Sequence, residues 1–153
     1  MPVPEANPPT EHPPAGRMKD LVLVFAGGAA GSLARYAVGL ALGTGLVADG
    51  WPIGTLSANL VGAFLLGVLV ESLGRMGPDS GRRRDARLLL GTGVLGGFTT
   101  YSMFATEVAQ MLLAARPAAG AGYAVATLVI GGAASWGGVL VARGMLRRGG
   151  GAS

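Results

Sequence analysis

Long stretches without charge constrain this chain more than anything else in it. Residues 50–70, 88–106 and 117–142 contain no Asp, Glu, Lys or Arg, and each run is near or above the roughly 20 residues that a helix needs to cross a ~30 Å hydrocarbon layer. A fourth apolar segment, from Leu21 to about Leu42, is interrupted only by Arg35, whose long side chain has room to snorkel or to face a watery cavity. Among single segments, only a helix satisfies every backbone polar group inside lipid. These lengths therefore predict an all-α integral membrane protein with four transmembrane helices, at about 21–43, 53–73, 88–115 and 121–142.

Composition agrees. Only 13% of residues are charged, against about 25% in soluble domains. There are 28 glycines but only two Trp, three Tyr and four Phe, so small residues rather than rings are expected at the helix contacts, where lipid removes the hydrophobic drive for packing. The chain has no cysteine, and its one histidine, His12, lies in a proline-rich stretch. Thiolate nucleophiles, thiolate metal sites and histidine acid–base chemistry in the body of the protein are thereby excluded, and the chain is not expected to be an enzyme. A pI near 10.3 is compatible with nucleic acid, but the basic residues flank apolar runs, where they report membrane orientation instead.

Residues 1–17, MPVPEANPPTEHPPAGR, lack an apolar signal segment and read as a disordered Pro-rich tail. A membrane domain follows at 18–148, with a short disordered tail at 149–153. Trp51-Pro52 opens the second span, Gly77-Pro78 and the arginine run at 82–84 separate the second from the third, and Arg116-Pro117 makes the last turn. With four spans, both ends and the 74–87 loop share one side. That side carries Arg17, Lys19, Arg75, Arg82, Arg83, Arg84, Arg87, Arg143, Arg147 and Arg148, against Arg116 alone on the other. The positive-inside rule then predicts cytoplasmic termini and one fixed orientation.

Several polar residues interrupt the apolar spans. Gly96-Gly97-Phe98-Thr99-Thr100-Tyr101-Ser102 falls about halfway along the third. Two glycines and two threonines sustain a helix poorly, and a break there would free carbonyls at mid-membrane for protein, water or an ion to satisfy. The plainer reading is that the hydroxyls bond back to the preceding turn. Asn59, in the second span, suits either anion contact or interhelical bonding. Tyr123 and Thr127 lie four apart on one face of the fourth, with Gly131 continuing that face and Ser135 a turn further on. Glu71 and Glu107, near span ends, read as solvated or ion-paired.

Three motifs, GGAAGSLARY at 27–36, GTLSANLVGAFLLG at 54–67 and GTGVLGGFTTYSMFATE at 91–107, occur in an order and spacing that resembles the CrcB, or Fluc, fluoride channels along essentially all of 21–142. The resemblance implies an antiparallel dimer in a bacterial plasma membrane, with the third helix broken near its middle, passive fluoride export through two narrow routes, and a structural Na⁺ at the dimer interface. By position it places Gly96 and Thr99 as backbone-carbonyl ligands to that Na⁺. Asn59, Thr100, Tyr101, Ser102, Phe104, Tyr123 and Thr127 would line the fluoride route, and Arg35 would stand near a pore entrance.

Two positions depart from the family pattern: Tyr101 stands where a phenylalanine is usual, and Gly131 where a hydroxyl is. Together with the ten-to-one charge asymmetry they favour a paralogous heterodimer over a homodimer, which needs insertion in both orientations. Two competing readings are a small four-helix drug/proton exporter and a non-conducting accessory subunit. The exporter needs a carboxylate inside the first span, and 21–43 has none.

Overall fold

The computed structural model describes residues 14–43 and 50–149. It is all-helical, with four helices long and apolar enough to cross a membrane: α1 (Pro14–Leu42), α2 (Ile53–Arg75), α3 (Arg82–Leu113) and α4 (Pro117–Gly149). The helices begin earlier or run further than the apolar stretches, because hydropathy marks where lipid ends and not where the backbone stops coiling. Helix α1 starts at Pro14, a residue whose fixed φ and missing N–H suit a first helical turn, inside the expected 1–17 tail. Residues 1–13 and 150–153 of the two expected tails lie outside the described residues. Helix α3 likewise takes in the arginine run, and α4 continues through Arg143 and Arg147.

The turns end the helices by backbone geometry. Past α2, Gly77 takes a φ of 100°, the left-handed conformation that glycine adopts freely, and Pro78 prevents the helix from resuming. Past α3, Ala115 has a φ of 56° and its N–H bonds Leu112 O at 3.1 Å while Arg116 N bonds Met111 O at 2.9 Å. That pair closes the helix before Pro117.

Helix α1 packs against the first half of α3, whereas α4 packs against α2 and the second half of α3. In both main pairs the helices run parallel. Asp20 meets Arg84 and Arg35 meets Met103 between α1 and α3, while Thr55 and Tyr123 share a partner and Glu71 meets Arg143 between α2 and α4. An up-down-up-down path through four spans produces this pairing of alternate helices.

Small residues let these pairs approach. A Cβ on Gly93 would sit 2.8 Å from Gly27 Cα, and one on Gly97 would sit 3.0 Å from Gly28 Cα. A Cβ on Gly31 would press on the Val94 carbonyl. Both helices therefore present glycines four residues apart, the spacing that brings membrane helices into backbone contact. On the other pair, Gly67 faces Ser135 and Gly138 faces Phe64 in the same way. Large fully covered side chains among the described residues are few, Tyr123, Met111 and Pro52. Phe25, Leu128 and Trp136 are 79%, 70% and 64% exposed, a surface that only lipid or another subunit covers well.

One end of the bundle is tied by ion pairs. Lys19 reaches Asp85 at 2.6 Å, Arg84 grips both Asp20 oxygens at 2.8 and 2.5 Å, and Glu71 takes Arg143 at 3.0 Å and also Arg75. The ion-paired reading of Glu71 matches this placement.

Gly31→Val should lower stability in detergent by about 1–3 kcal/mol, the usual cost of forcing extra atoms into a tight contact. Gly132→Ala, at a position open to space, should leave it near the parent value; thermal unfolding of the purified protein compares them.

Candidate functional site at the bend of α3

Helix α3 changes character along its length. Arg87–Leu95 is wound as a π-helix, with Gly96 N–H reaching back to Gly91 O; such wide turns are most often found at functional positions. Gly96–Phe98 is α-helical, and then Thr99 (φ −81°, ψ 156°) and Thr100 (φ −148°, ψ 117°) leave helical geometry before Tyr101–Leu113 resumes it. The result is a joined helix with a bend in mid-span.

Asn59 of α2 holds the bend. Its Nδ2 donates to Thr100 O at 3.1 Å and its Oδ1 accepts from Thr100 N at 2.8 Å, so the side-chain amide pairs with the backbone as a neighbouring strand would. Thr100 Oγ1 then caps the resumed helix by accepting from Met103 N at 3.3 Å, a standard N-cap role. In an uninterrupted helix Thr100 N–H would bond Gly96 O and Met103 N–H would bond Thr99 O. Both donors are directed elsewhere. Gly97 O accepts from Arg35 Nε at 3.1 Å and lies 3.5 Å from Ser32 Oγ, while Arg35 also reaches Met103 Sδ at 3.3 Å. The Arg35 guanidinium thus lies against both sides of the bend.

Below the bend, Thr100 Oγ1 and Ser102 Oγ are 3.2 Å apart. An open groove of about 230 Å³ follows, lined by Ser102, Met103, Thr106, Glu107 and Gln110. Ser102, Thr106 and Gln110 are spaced by four and form a polar, exposed strip on an otherwise apolar helix. Behind it, four rings follow one another: Tyr101 to Phe104 at 6.0 Å, Phe104 to Tyr123 at 5.5 Å and Tyr123 to Trp51 at 5.9 Å between centroids. Tyr101 is 81% exposed at the outer end of this series, and Tyr123 is fully covered.

Glu107 does not have the solvated or ion-paired environment expected for it. It is buried, accepting from Thr55 Oγ1 at 2.5 Å and from Tyr123 OH at 2.8 Å. The span continues to Leu113, so position 107 lies a turn and a half inside the helix and faces α2 and α4.

Of the residues singled out in the sequence, the structure brings Asn59, Thr100 and Ser102 together at the bend, and Tyr101, Phe104 and Tyr123 into one ring series. Thr127 joins only through Tyr123, its hydroxyl bonding back to Tyr123 O at 2.8 Å. Thr99 Oγ1 bonds back to Leu95 O at 2.9 Å, the plainer of its two roles, and Thr106 Oγ1 bonds back to Ser102 O at 2.9 Å. Thr55, Thr106, Glu107 and Gln110 were not among the expected site residues. For three of them a signal was present: Thr55 lies one turn before Asn59, and Thr106 and Gln110 continue the spacing of Ser102. Among the described residues, no three His, Cys, Asp or Glu cluster to hold a metal ion; oxygen donors for a cation would be the carbonyls at the bend.

The match to known proteins covers both the spans and this site. The family model described as CrcB-like protein, Camphor Resistance (CrcB), matches residues 22–139. The chain belongs to the CrcB family. Within it, the chain is 48% identical over 121 residues to fluoride-specific ion channel FluC 2 of Leifsonia xyli subsp. xyli (strain CTCB07), covering 79% of this chain and 81% of that one. It is 44% identical over 126 residues to fluoride-specific ion channel FluC of Caulobacter vibrioides (strain NA1000 / CB15N), 82% and 97% of the two chains. It is 45% identical over 114 residues to fluoride-specific ion channel FluC 1 of Cutibacterium acnes (strain DSM 16379 / KPA171202), 74% and 78%. These CrcB relatives are named as ion channels and not as enzymes, and four spanning helices make this member a membrane protein.

Asn59→Ala should destabilise the fold by about 1–3 kcal/mol for each Thr100 backbone group left unpaired, measured by unfolding in detergent. Around Glu107, Thr55→Val and Tyr123→Phe should each be destabilising, and a double-mutant cycle should give a coupling of about 0.5–3 kcal/mol because both hydroxyls act on one carboxyl.

Proposed function

We propose that this chain is a subunit of a fluoride-specific channel that lets cytoplasmic fluoride leave the cell down its electrochemical gradient. The observation that carries the reading is the bend at Thr99–Thr100, held open by Asn59 in mid-span beside the polar strip of α3. It is supported by the CrcB relatives, which are named as fluoride-specific ion channels. A bare anion in mid-membrane is costly, so a route must replace water by closely placed donors. The Asn59 amide has a second N–H beyond the one given to Thr100. Thr100 and Ser102 add hydroxyls, and the ring edges of Tyr101, Phe104 and Tyr123 carry partial positive charge. Such contacts are weak enough individually to allow exit. Arg35 would raise the local positive potential beside the entrance to this route, and Thr127 would extend it along α4.

The proposed assembly is an antiparallel dimer in the bacterial plasma membrane, with the third helices broken at their bends and crossing at the interface. The carbonyls of Gly96 and Thr99, whose helical N–H donors are directed elsewhere, fit a hard cation, and the equivalent pair from a second subunit would complete the set for Na⁺. That ion would supply fixed positive charge and satisfy freed carbonyls. The ten-to-one charge asymmetry fixes this subunit with its ends in the cytoplasm. Its partner in the opposite orientation is therefore a paralogue, a reading that the numbered names of the Leifsonia and Cutibacterium relatives support.

Fluoride efflux from liposomes, followed with a fluoride electrode, tests this. The chain alone should give little flux, and the chain with a paralogue from the same cell should give rapid fluoride loss and no chloride loss. Phe104→Ala should slow the co-reconstituted flux by on the order of tenfold or more, about 1.4 kcal/mol of barrier. Full flux from the single chain would overturn the paired assembly, and no flux with any partner would favour the accessory reading.

A further inference from the structure

At the end of the bundle that carries the ion pairs, a second groove of about 480 Å³ lies between α2 and the first half of α3. Leu66, Leu69, Val70 and Leu73 form its apolar wall, and Arg83, Arg87 and Asp79 stand at its mouth, two cations against one carboxylate. From Arg83 to Thr92, at the deep end, is nine residues, more than two helical turns. The groove is thus basic at the interfacial level and apolar where hydrocarbon begins.

The arginines around it differ in what they hold. Arg84 is taken up by Asp20 and Arg87 by Asp79. Arg83 lies over Gly77 and makes only a 3.5 Å contact to Pro78 O. Neither Arg82 nor Arg83 has a carboxylate within ion-pair distance among the described residues. A basic group at the mouth of an apolar groove between membrane helices suits an acidic headgroup, and the wall below it suits an acyl chain.

We propose that this groove binds an anionic phospholipid, with the phosphate on Arg83 and one acyl chain along Leu66, Leu69, Val70 and Leu73. Charge complementarity decides the occupant: a zwitterionic lipid fills the wall equally well but brings its own cation to Arg83. The site lies at the opposite end of α3 from the polar strip, and its test does not involve ion flux, so either proposal stands or falls without the other.

Native mass spectrometry of the full chain in detergent, with added phosphatidylglycerol or phosphatidylcholine, reads the site directly. Wild type should retain phosphatidylglycerol in preference. Arg83→Gln should weaken that retention roughly fivefold, the effect of one basic residue at an anionic headgroup, and Arg83→Lys should restore most of it. Gly74→Leu, at a groove position where an added Cβ meets nothing within 4 Å, should reduce retention of both lipids by filling the space. Equal retention of the two lipids by wild type, or an Arg83→Gln variant that binds as wild type does, would overturn the proposal. So would a crosslink to a second subunit from a photoreactive side chain placed at Gly74, which would put another chain in the groove.

Discussion

The pairing of the Asn59 side chain with the Thr100 backbone is the interaction on which the rest of the site depends. Two hydrogen bonds, 3.1 and 2.8 Å long, take one residue of a membrane helix out of its ladder and leave neither of its backbone groups unpaired. In lipid that is the condition for any irregular backbone to persist. The geometry of the bend goes with it: the redirected N–H groups of Thr100 and Met103, the cap at Thr100, and a second half of the helix that turns its polar strip into a groove. Arg35 completes the arrangement from the other side by taking up Gly97 O.

The bend also explains how four helices share so little core. Helix α3 serves two neighbours, lying on α1 before Thr99 and on α4 after it, and glycine contacts bring each main pair to backbone distance. Much apolar surface remains uncovered, as is proper for a protein solvated by lipid. The ion pairs identified among the described residues, from Lys19–Asp85 to Glu71–Arg143, gather at one end, away from the bend.

Much of this was legible in the sequence, and the exceptions have physical causes. The four spans follow from uncharged length, and the composition of residues 96–102 places a helix-weakening segment in mid-span. The helix ends were misplaced because Arg82–Arg84 and Arg143 mark the membrane boundary while the backbone coils through them. Asn59 left two readings open, since an amide that bonds a helix and one that bonds an ion look alike until its partner is known; that partner is a backbone 41 residues away. Glu107 was read as a terminal carboxylate because its cover, Thr55 and Tyr123, comes from two other helices. Only the packing reveals that it is buried.

In the proposed channel the face of α3 beyond the bend borders a wet ion route and is neither lipid-facing nor dry. The chain has no cysteine of its own, so Ser102→Cys introduces a single thiol, which reacts with a small charged thiosulfonate only as a water-exposed thiolate. In liposomes carrying the assembled channel, the account predicts rapid modification of Ser102→Cys, slowed by fluoride and accompanied by loss of fluoride flux, while Leu128→Cys on the outer face of α4 stays unreactive. A Ser102→Cys thiol as inert as that at Leu128→Cys, with flux unaffected by the reagent, would contradict it.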